Sequence, residues 1–484
     1  MAEYVDNEFQ EKTEGPPSVF PLRSQKSEII NRSKVIVIGA GMAGLAAAYF
    51  LKKCGLSVMV FERKAVAGGQ VRTRLEEDRY LIELGPNSFL SSAEAVIKLA
   101  RELSIDGQTI ASQAASKQRY ILHHKKLCPL PMGPKAFVSS RLFSLSGKAR
   151  IFSECFVKSK TTGDESVASF IRRHFGNEAL NHVVDPFVSG IYAGDVENLS
   201  AESIFPELVD MERAHGSLIR GFMKKRSKTK HDLFSFRWGM GTLPARLEEV
   251  LRKDLYLNTT IESIERLPNG RLQVKVEAPR KCFDADAIVL ATPAPVSARI
   301  MASLLPQAIP DLMAIPYAPI IVVHTAYKNQ HLPKPLDGFG FLIPRKEGFK
   351  MLGSIWSSSL FIGRAPKDES LLTNYIGGAT DQSALDMDDR EILDHIQTGL
   401  ETSLQITAAP VFTSLRRIQQ AIPQYVIGHR ERLNGIEREA EKAPGIFLTG
   451  NYFRGVSVSD TIEHARHTAD KVLSHLGIRP PLQR

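Results

Sequence analysis

The apolar positions of this chain change period along its length, and those changes mark out its elements. Val35, Ile36, Val37 and Ile38 form an unbroken β-branched run. Such a run reads as a strand buried on both faces. Gly39, Gly41 and Gly44 follow at GxGxxG spacing, and an alanine-rich helix is predicted from Leu45 to Lys53, stopped near Gly55. Leu56 to Phe61 is a second apolar strand, closed by Glu62. Further on, a helix is predicted from Thr242 after a glycine turn, strands at 255–265, and a buried strand within DADAIVLATPA at 284–294. Residues 300–440 mix strands and helices, with hairpin signals at LDGFGFLIP and YIGGATD. The last segment is strand, glycine turn, helix. Ile462, Ala465, Ala469, Val472, Leu473 and Leu476 mark its apolar face, with Asp460 and Glu463 placed to cap its start.

The first turn has the chemistry of a phosphate site. Gly39 permits a tight turn, Gly41 lets a ligand approach the backbone, and Gly44 lets the helix pack close to the strand. The helix N-terminus then offers free N–H groups and a partial positive charge to a pyrophosphate. Glu62, at the end of the second strand, can accept from ribose hydroxyls. Small residues also serve plain helix packing, so the spacing alone would not decide. Strand, turn, helix, strand and terminal acid together point to a dinucleotide. Gly68 and Gly69 precede Arg72; a glycine pair followed by a cation can line the same pyrophosphate, and an ordinary glycine hairpin would look alike. The start of the C-terminal helix can offer N–H groups to a second part of the cofactor.

Length and charge add bounds. A chain of 484 residues exceeds one ordinary core and predicts two or three domains. The net charge of +9 is modest and does not by itself imply nucleic acid. Cys54, Cys128, Cys155 and Cys282 have neither CxxC nor metal-ligand spacing and read as reduced thiols. No metal site is expected. No uninterrupted apolar run reaches about eighteen residues, so no spanning helix is predicted. Residues 1–33 are polar and carry acids near their start, unlike a secretory signal or an acid-poor presequence. They read as a disordered tail, which points to use without import. From Lys117 to Lys160 many cations face a single acid, Glu154, and alternate with bulky apolar residues over several expected helical turns. Two readings stay open for that segment: a surface lying on an anionic bilayer, or a small helical subdomain with a solvated basic face. KKRSKTK at 224–230 reads as a mobile surface loop.

At this point a resemblance becomes specific. GAGMAGLAAAYFL and FERKAVAGGQVRT near the start, and LTGNYFRGVSVSD near the end, resemble the FAD-containing amine oxidase superfamily. DPFVSGIYAGDVENLSAESIFPEL at 185–208, LDGFGFLIP at 336–344, LGSIWSSSLFIGRAP and AIPQYVIGH resemble its oxygen-dependent, haem-pathway branch, the protoporphyrinogen oxidases, in their bacterial form. The similarity runs from about Lys34 to the C-terminus, and SGIYAGD is its most discriminating part.

The resemblance implies an α/β plus α+β fold. A Rossmann-like FAD-binding domain, discontinuous in sequence, would take residues 34–112, 234–299 and 441–484. A helical membrane-binding insertion would take 113–233 and a mixed-sheet substrate domain 300–440. It implies FAD bound non-covalently, since the flavin-side turn has no cysteine. By position, Gly39, Gly41, Gly44, Glu62, Gly69, Arg72 and Ile261 belong to the FAD site, with Gly450, Asn451, Val456, Ser457 and Val458 on the flavin side. Arg119 matches the arginine that pairs with a ring propionate. Leu342, Ile355 and Tyr375 match positions around the pyrrole rings; Ile355 and Tyr375 depart from the leucine and phenylalanine usual there. Gly190 matches a glycine whose carbonyl faces the macrocycle and favours positive charge as hydride leaves, which makes it the catalytic candidate. His182, His324, His429 and His464 read as structural or surface residues, and no general base is assigned.

The implied reaction is oxidation of protoporphyrinogen IX to protoporphyrin IX, a loss of six electrons, with oxygen as acceptor and hydrogen peroxide released. The alternatives are coproporphyrinogen III oxidation, another flavin amine oxidase or desaturase of this fold, and a non-enzyme of the Rab-escort type. The complete phosphate turn, Glu62 and the C-terminal turn disfavour the last. The resemblance also implies peripheral membrane contact through about 117–160, a place in the cytoplasm or on the cytoplasmic face of a bacterial inner membrane, a possible homodimer and hand-over to ferrochelatase. No nucleic-acid partner is expected.

Overall fold

The computed structural model describes residues 34–156, 163–224 and 232–480. The expected tail at 1–33 and nearly all of the 224–230 loop lie outside these described residues. Five strands form a parallel sheet in the order Leu255–Tyr256, Ser57–Phe61, Lys34–Ile38, Ala287–Leu290, Ile446–Leu448. Its strands come from distant parts of the chain, so the sheet is discontinuous in sequence. Lys34–Ile38 lies at the centre, so both of its faces are covered. Val35 and Val37 pack with the helices Met42–Lys53, Thr242–Leu251 and Val458–His475. Ile36 and Ile38 pack on the opposite face with Ile264, Leu290 and Ala298. That double burial is why the run is uninterrupted rather than alternating.

The first helix starts at Met42, three residues before the predicted Leu45, because Gly41 is its N-cap. The expected helix from Thr242 is present, and the apolar face predicted for the last helix is buried from Ile462 to Leu473. That helix starts at Val458, and its cap is Ser457, whose hydroxyl accepts from the Asp460 N–H at 3.1 Å. The expected cap by Asp460 and Glu463 is thereby corrected: Asp460 lies inside the first turn, and a serine hydroxyl reaches the free N–H groups from just outside it.

A second, seven-stranded sheet runs in the order Phe412–Pro423, Tyr317–Lys328, Glu369–Gly377, Met351–Ile355, Gly340–Leu342, Arg119–His123, Lys126–Pro129. It is antiparallel except where Gly340–Leu342 runs parallel to Arg119–His123. The start of the segment expected to be helical is therefore a hairpin that finishes this sheet. Helices follow from Pro134, among them Leu145–Ser153, Val167–Phe175 and Asp185–Tyr192. They enclose a core of their own that includes Leu142, Phe170, Ile171, Val188 and Leu199. Glu154 is fully buried in that region rather than set among surface cations. It accepts from the Leu218 and Ile219 N–H groups at 2.7 and 3.0 Å, and from Ser217 Oγ at 2.8 Å. Burial alone would raise its pKa, but these hydrogen bonds hold its carboxyl below the usual range.

Candidate active site

The first turn is built around what a side chain would strike. Gly39 has a left-handed φ of +102°, and a Cβ there would lie 2.8 Å from the Ala291 carbonyl oxygen. Its N–H donates to the Phe61 carbonyl at 2.7 Å, tying the turn to the second strand. A Cβ on Gly44 would lie 1.8 Å from the Gly39 carbonyl oxygen, so the helix passes over the strand only because that residue has no side chain. Gly41 is different. Its nearest obstruction is Gly69 Cα at 4.0 Å, and it bridges to Gly68. Bare backbone is left at the edge of a cavity.

That cavity has a volume of about 2630 Å³. A typical ligand pocket occupies up to ~1,000 Å³, so there is room for a dinucleotide and a second large ligand. Gly39, Gly41, Glu62, Gly69, Arg72, Ile261, Gly450, Asn451, Val456, Ser457 and Val458 all line it. Of the sequence-predicted site residues only Gly44 stays outside, where it shapes the turn from behind. Glu62 is oriented by the Ala40 and Lys64 N–H groups, which donate to its two oxygens at 2.8 and 3.0 Å. The helices beginning at Met42 and Val458 both open onto the cavity. Two helix N-termini, exposed glycine backbone and a fixed carboxylate suit an extended dinucleotide, and FAD fits this donor set.

The other end of the cavity has an apolar wall. Leu342 and Gly353 pair across strands, and Gly353 pairs in turn with Tyr375. Ile355, Val322, Leu352 and Ile418 continue the lining. Against the wall lies the helix Asp185–Tyr192, so close that a Cβ on Gly190 would be 2.5 Å from Leu342 Cδ2. In its last turn the Ser189 carbonyl accepts from the Ala193 N–H and the Tyr192 carbonyl from Gln424 Nε2. No donor reaches the Gly190 carbonyl among the described residues. Arg119 lies at the rim, its guanidinium carbon 5.1 Å from the centre of the Phe339 ring. Burial pulls its pKa down, and no carboxylate pairs with it among the described residues. A half-buried guanidinium without a counter-ion is a ready partner for a ligand carboxylate.

The structure adds residues that sequence reasoning missed. Phe187 and Ile191 flank Gly190 at helical spacing and stay 39% and 44% exposed, facing the cavity. Their i, i+4 spacing was the available signal. Asn87 Nδ2 donates to the Tyr375 hydroxyl at 2.8 Å across 288 residues of sequence, and nothing local announces that pair. Arg416 also lines the cavity, donating to the Leu84 carbonyl and, at 3.0 Å, to Gln70 Oε1. No histidine among the described residues lines the cavity. One ring nitrogen of each of His182, His324, His429 and His464 is engaged, with Leu142, Glu83, Tyr452 and Thr449 respectively. The four cysteines are free thiols, and no metal-binding cluster occurs among the described residues.

Glu83, just behind the lining, is almost fully buried. Burial pushes its carboxyl up to about 7, against opposing effects of Arg364, Thr73 Oγ1 and the Met240 N–H. A carboxyl raised on folding stabilises fully below its unfolded pKa, and that contribution is lost as pH rises through 7. Glu83→Gln should therefore flatten one component of the stability profile. The Tm difference, variant minus wild type, should grow between about pH 5 and 7; a constant difference across that range would contradict the shift.

Residues 42–473 match the family described as flavin containing amine oxidoreductase. The chain is 30% identical to a coproporphyrinogen III oxidase of Bacillus subtilis, over 92% of this chain and 99% of that protein. It is also 30% identical to protoporphyrinogen oxidase 2 of Arabidopsis thaliana, over 93% of this chain and 95% of that one. Among solved structures, an Exiguobacterium protein provisionally named protoporphyrinogen oxidase superposes with a TM-score of 0.81 at 24% identity, over 93% of this chain and all of that one.

Proposed function

The chain belongs to the flavin-containing amine oxidoreductases, and from that membership we propose that it oxidises a haem-pathway porphyrinogen, protoporphyrinogen IX, to the porphyrin. It is an FAD-dependent oxidase. The observation that carries the substrate reading is the cavity, in which a dinucleotide-binding end meets an apolar wall with the Arg119 guanidinium, unpaired among the described residues, beside it.

When bound, FAD supplies two-electron oxidation, so loss of six electrons takes three rounds, with oxygen as the terminal acceptor. The protein's own contribution is position and field. Leu342, Ile355 and Tyr375 offer bulk and flatness to a macrocycle, and Phe187 and Ile191 close on its other side. Arg119 takes a propionate through two parallel hydrogen bonds, which fixes the rotation of the disc. The Gly190 carbonyl, with its lone pairs unused, accepts from pyrrole N–H groups and favours the positive charge that develops as hydride leaves. No side chain is assigned the proton. Tyr375 stays neutral, because burial pushes its phenol well above the ordinary range.

A second reading, coproporphyrinogen III, has its own support. That substrate carries four propionates, Lys117 lines the cavity two residues before Arg119, and the Bacillus subtilis relative bears that name. An aerobic assay offering each porphyrinogen separately, followed by porphyrin fluorescence, tests both. Turnover of either supports the class, the rate ratio selects the substrate, and a yellow protein inert to both refutes it.

Peripheral membrane contact through the basic segment belongs to the same proposal. No helix among the described residues is long and apolar enough to span a bilayer. Leu145, Phe156 and Met223 are 85%, 84% and 79% exposed in the helical region, alongside Lys135, Arg141 and Lys148. Apolar side chains among cations suit the surface of an anionic bilayer. Leu145→Glu with Phe156→Glu should weaken sedimentation with anionic vesicles by about tenfold or more, with turnover in detergent unchanged. Equal binding by the double variant would remove the membrane from the proposal.

A further inference from the structure

Arg345 holds the helix that carries Gly190 from outside the cavity. Arg345 begins a short turn, Arg345–Glu347, that leaves the Leu342 strand after Ile343 and Pro344. Its Nε lies 3.4 Å from Asp185 Oδ1, at the first turn of the helix. Its Nη1 lies 3.2 Å from Asp195 Oδ1, beyond the helix's C-terminus. Its Nη2 donates to the Gly194 carbonyl at 2.6 Å and lies 3.4 Å from Ser189 Oγ. One guanidinium thus reaches both ends of an eight-residue helix.

The same turn is fixed on its far side. Glu347 accepts from the His124 and Lys125 N–H groups at 3.0 and 3.1 Å, which anchors it to the hairpin beside Arg119. Arg345 therefore joins three parts of the substrate wall: the Leu342 strand it follows, the hairpin after Arg119, and the helix of Gly190. The separation it holds has little slack, since a single carbon added at Gly190 would meet Leu342 Cδ2 at 2.5 Å. A planar fork with five donors suits such a multi-point clamp, and an ammonium on a flexible stem does not.

We propose that Arg345 is a positioning residue for the oxidation. By binding Asp185, Ser189, Gly194 and Asp195 together, it sets the distance from the Gly190 carbonyl to the Leu342 wall. The inference rests on the porphyrinogen reading of the cavity. Arg345 does not line the cavity and touches no reacting atom; it acts through the helix. A backbone carbonyl has no rotamer with which to correct an error, so a shift of the helix carries straight to the substrate. Misplacement of about 1 Å is worth on the order of 10²-fold in rate.

The test compares four full-length holoenzymes: wild type, Arg345→Met, Arg345→Lys, and Arg345→Met combined with Asp185→Asn. Each is assayed for kcat and KM with protoporphyrinogen IX and coproporphyrinogen III, for bound FAD, for reoxidation of the dithionite-reduced enzyme by oxygen, and for Tm. In Arg345→Met, kcat should fall by at least about tenfold and up to about 10²-fold, with KM changed less than about threefold on the same footing. FAD content and reoxidation should match wild type. Arg345→Lys should recover part of the rate. The double variant should regain Tm, because no buried carboxylate is left unpaired, while kcat stays low. Full recovery of kcat in the double variant would overturn the proposal, reducing Arg345 to a counter-ion for Asp185. So would an Arg345→Met enzyme within twofold of wild type. A wild-type enzyme inert to both porphyrinogens would instead refute the reading of the cavity, and this role with it.

Discussion

Gly44→Ala should yield a protein that purifies without its yellow cofactor. The added carbon would sit 1.8 Å from the Gly39 carbonyl oxygen, a contact with backbone that no rotamer relieves. The first helix must withdraw, and its N-terminal N–H groups leave the edge of the cavity with it. Overpacking of this kind costs about 1–3 kcal/mol of stability. The larger consequence is for binding, since the phosphate turn depends on the position of that N-terminus. The measurement is flavin absorbance per protein after gel filtration, with Tm recorded alongside. Gly107→Ala is the matched control, because nothing lies within 4 Å of its added carbon. Full FAD occupancy in Gly44→Ala would show that the turn is not the phosphate site.

Arg119→Met should give the largest loss of substrate affinity at any single side chain. A charge-assisted hydrogen-bonded pair is worth about 1.5–3 kcal/mol, or roughly 10- to 150-fold in KM. FAD content should not change, since Arg119 belongs to the sheet of the apolar wall, where it pairs with Gly340, and not to the phosphate turn. Stability should hold or rise, because a half-buried guanidinium without a carboxylate partner is replaced by an apolar chain of similar length. Arg119→Lys should fall between the two, as one point charge cannot form the parallel pair. Steady-state kinetics with each porphyrinogen checks this, and an unchanged KM would move the propionate site elsewhere, with Lys117 the next residue to test.

The parts legible in the sequence were those set by local rules. An unbroken β-branched run, glycines at fixed spacing and an alternation of strand with helix define the parallel sheet and the cofactor end of the cavity. The failures are equally physical. The hairpin at 119–129 falls in a segment whose alternation of basic and apolar residues predicts helix, and its tight turn carries no glycine, asparagine or aspartate to mark it. His124 and Lys125 take φ of +50° and +58° there, held by the distant carboxylate of Glu347. Glu154 was counted with a surface charge pattern, and its burial follows from the N–H groups of a helix more than sixty residues further on. The Asn87–Tyr375 pair and the Arg345 clamp join segments 150 or more residues apart. Periodicity reports which face of an element is buried, and says nothing of which distant side chain meets it.

The measurement that bears most directly on the account is the number of peroxide molecules released per porphyrin formed. Purified, detergent-solubilised enzyme is given protoporphyrinogen IX in air-saturated buffer, with coproporphyrinogen III in parallel. Porphyrin is followed by fluorescence and peroxide by a coupled assay without catalase. Three two-electron oxidations predict about three peroxides per macrocycle, with Gly190 and Arg119 variants slower at the same ratio. A yellow enzyme that consumes oxygen with an amine while forming no porphyrin from either substrate would contradict the account.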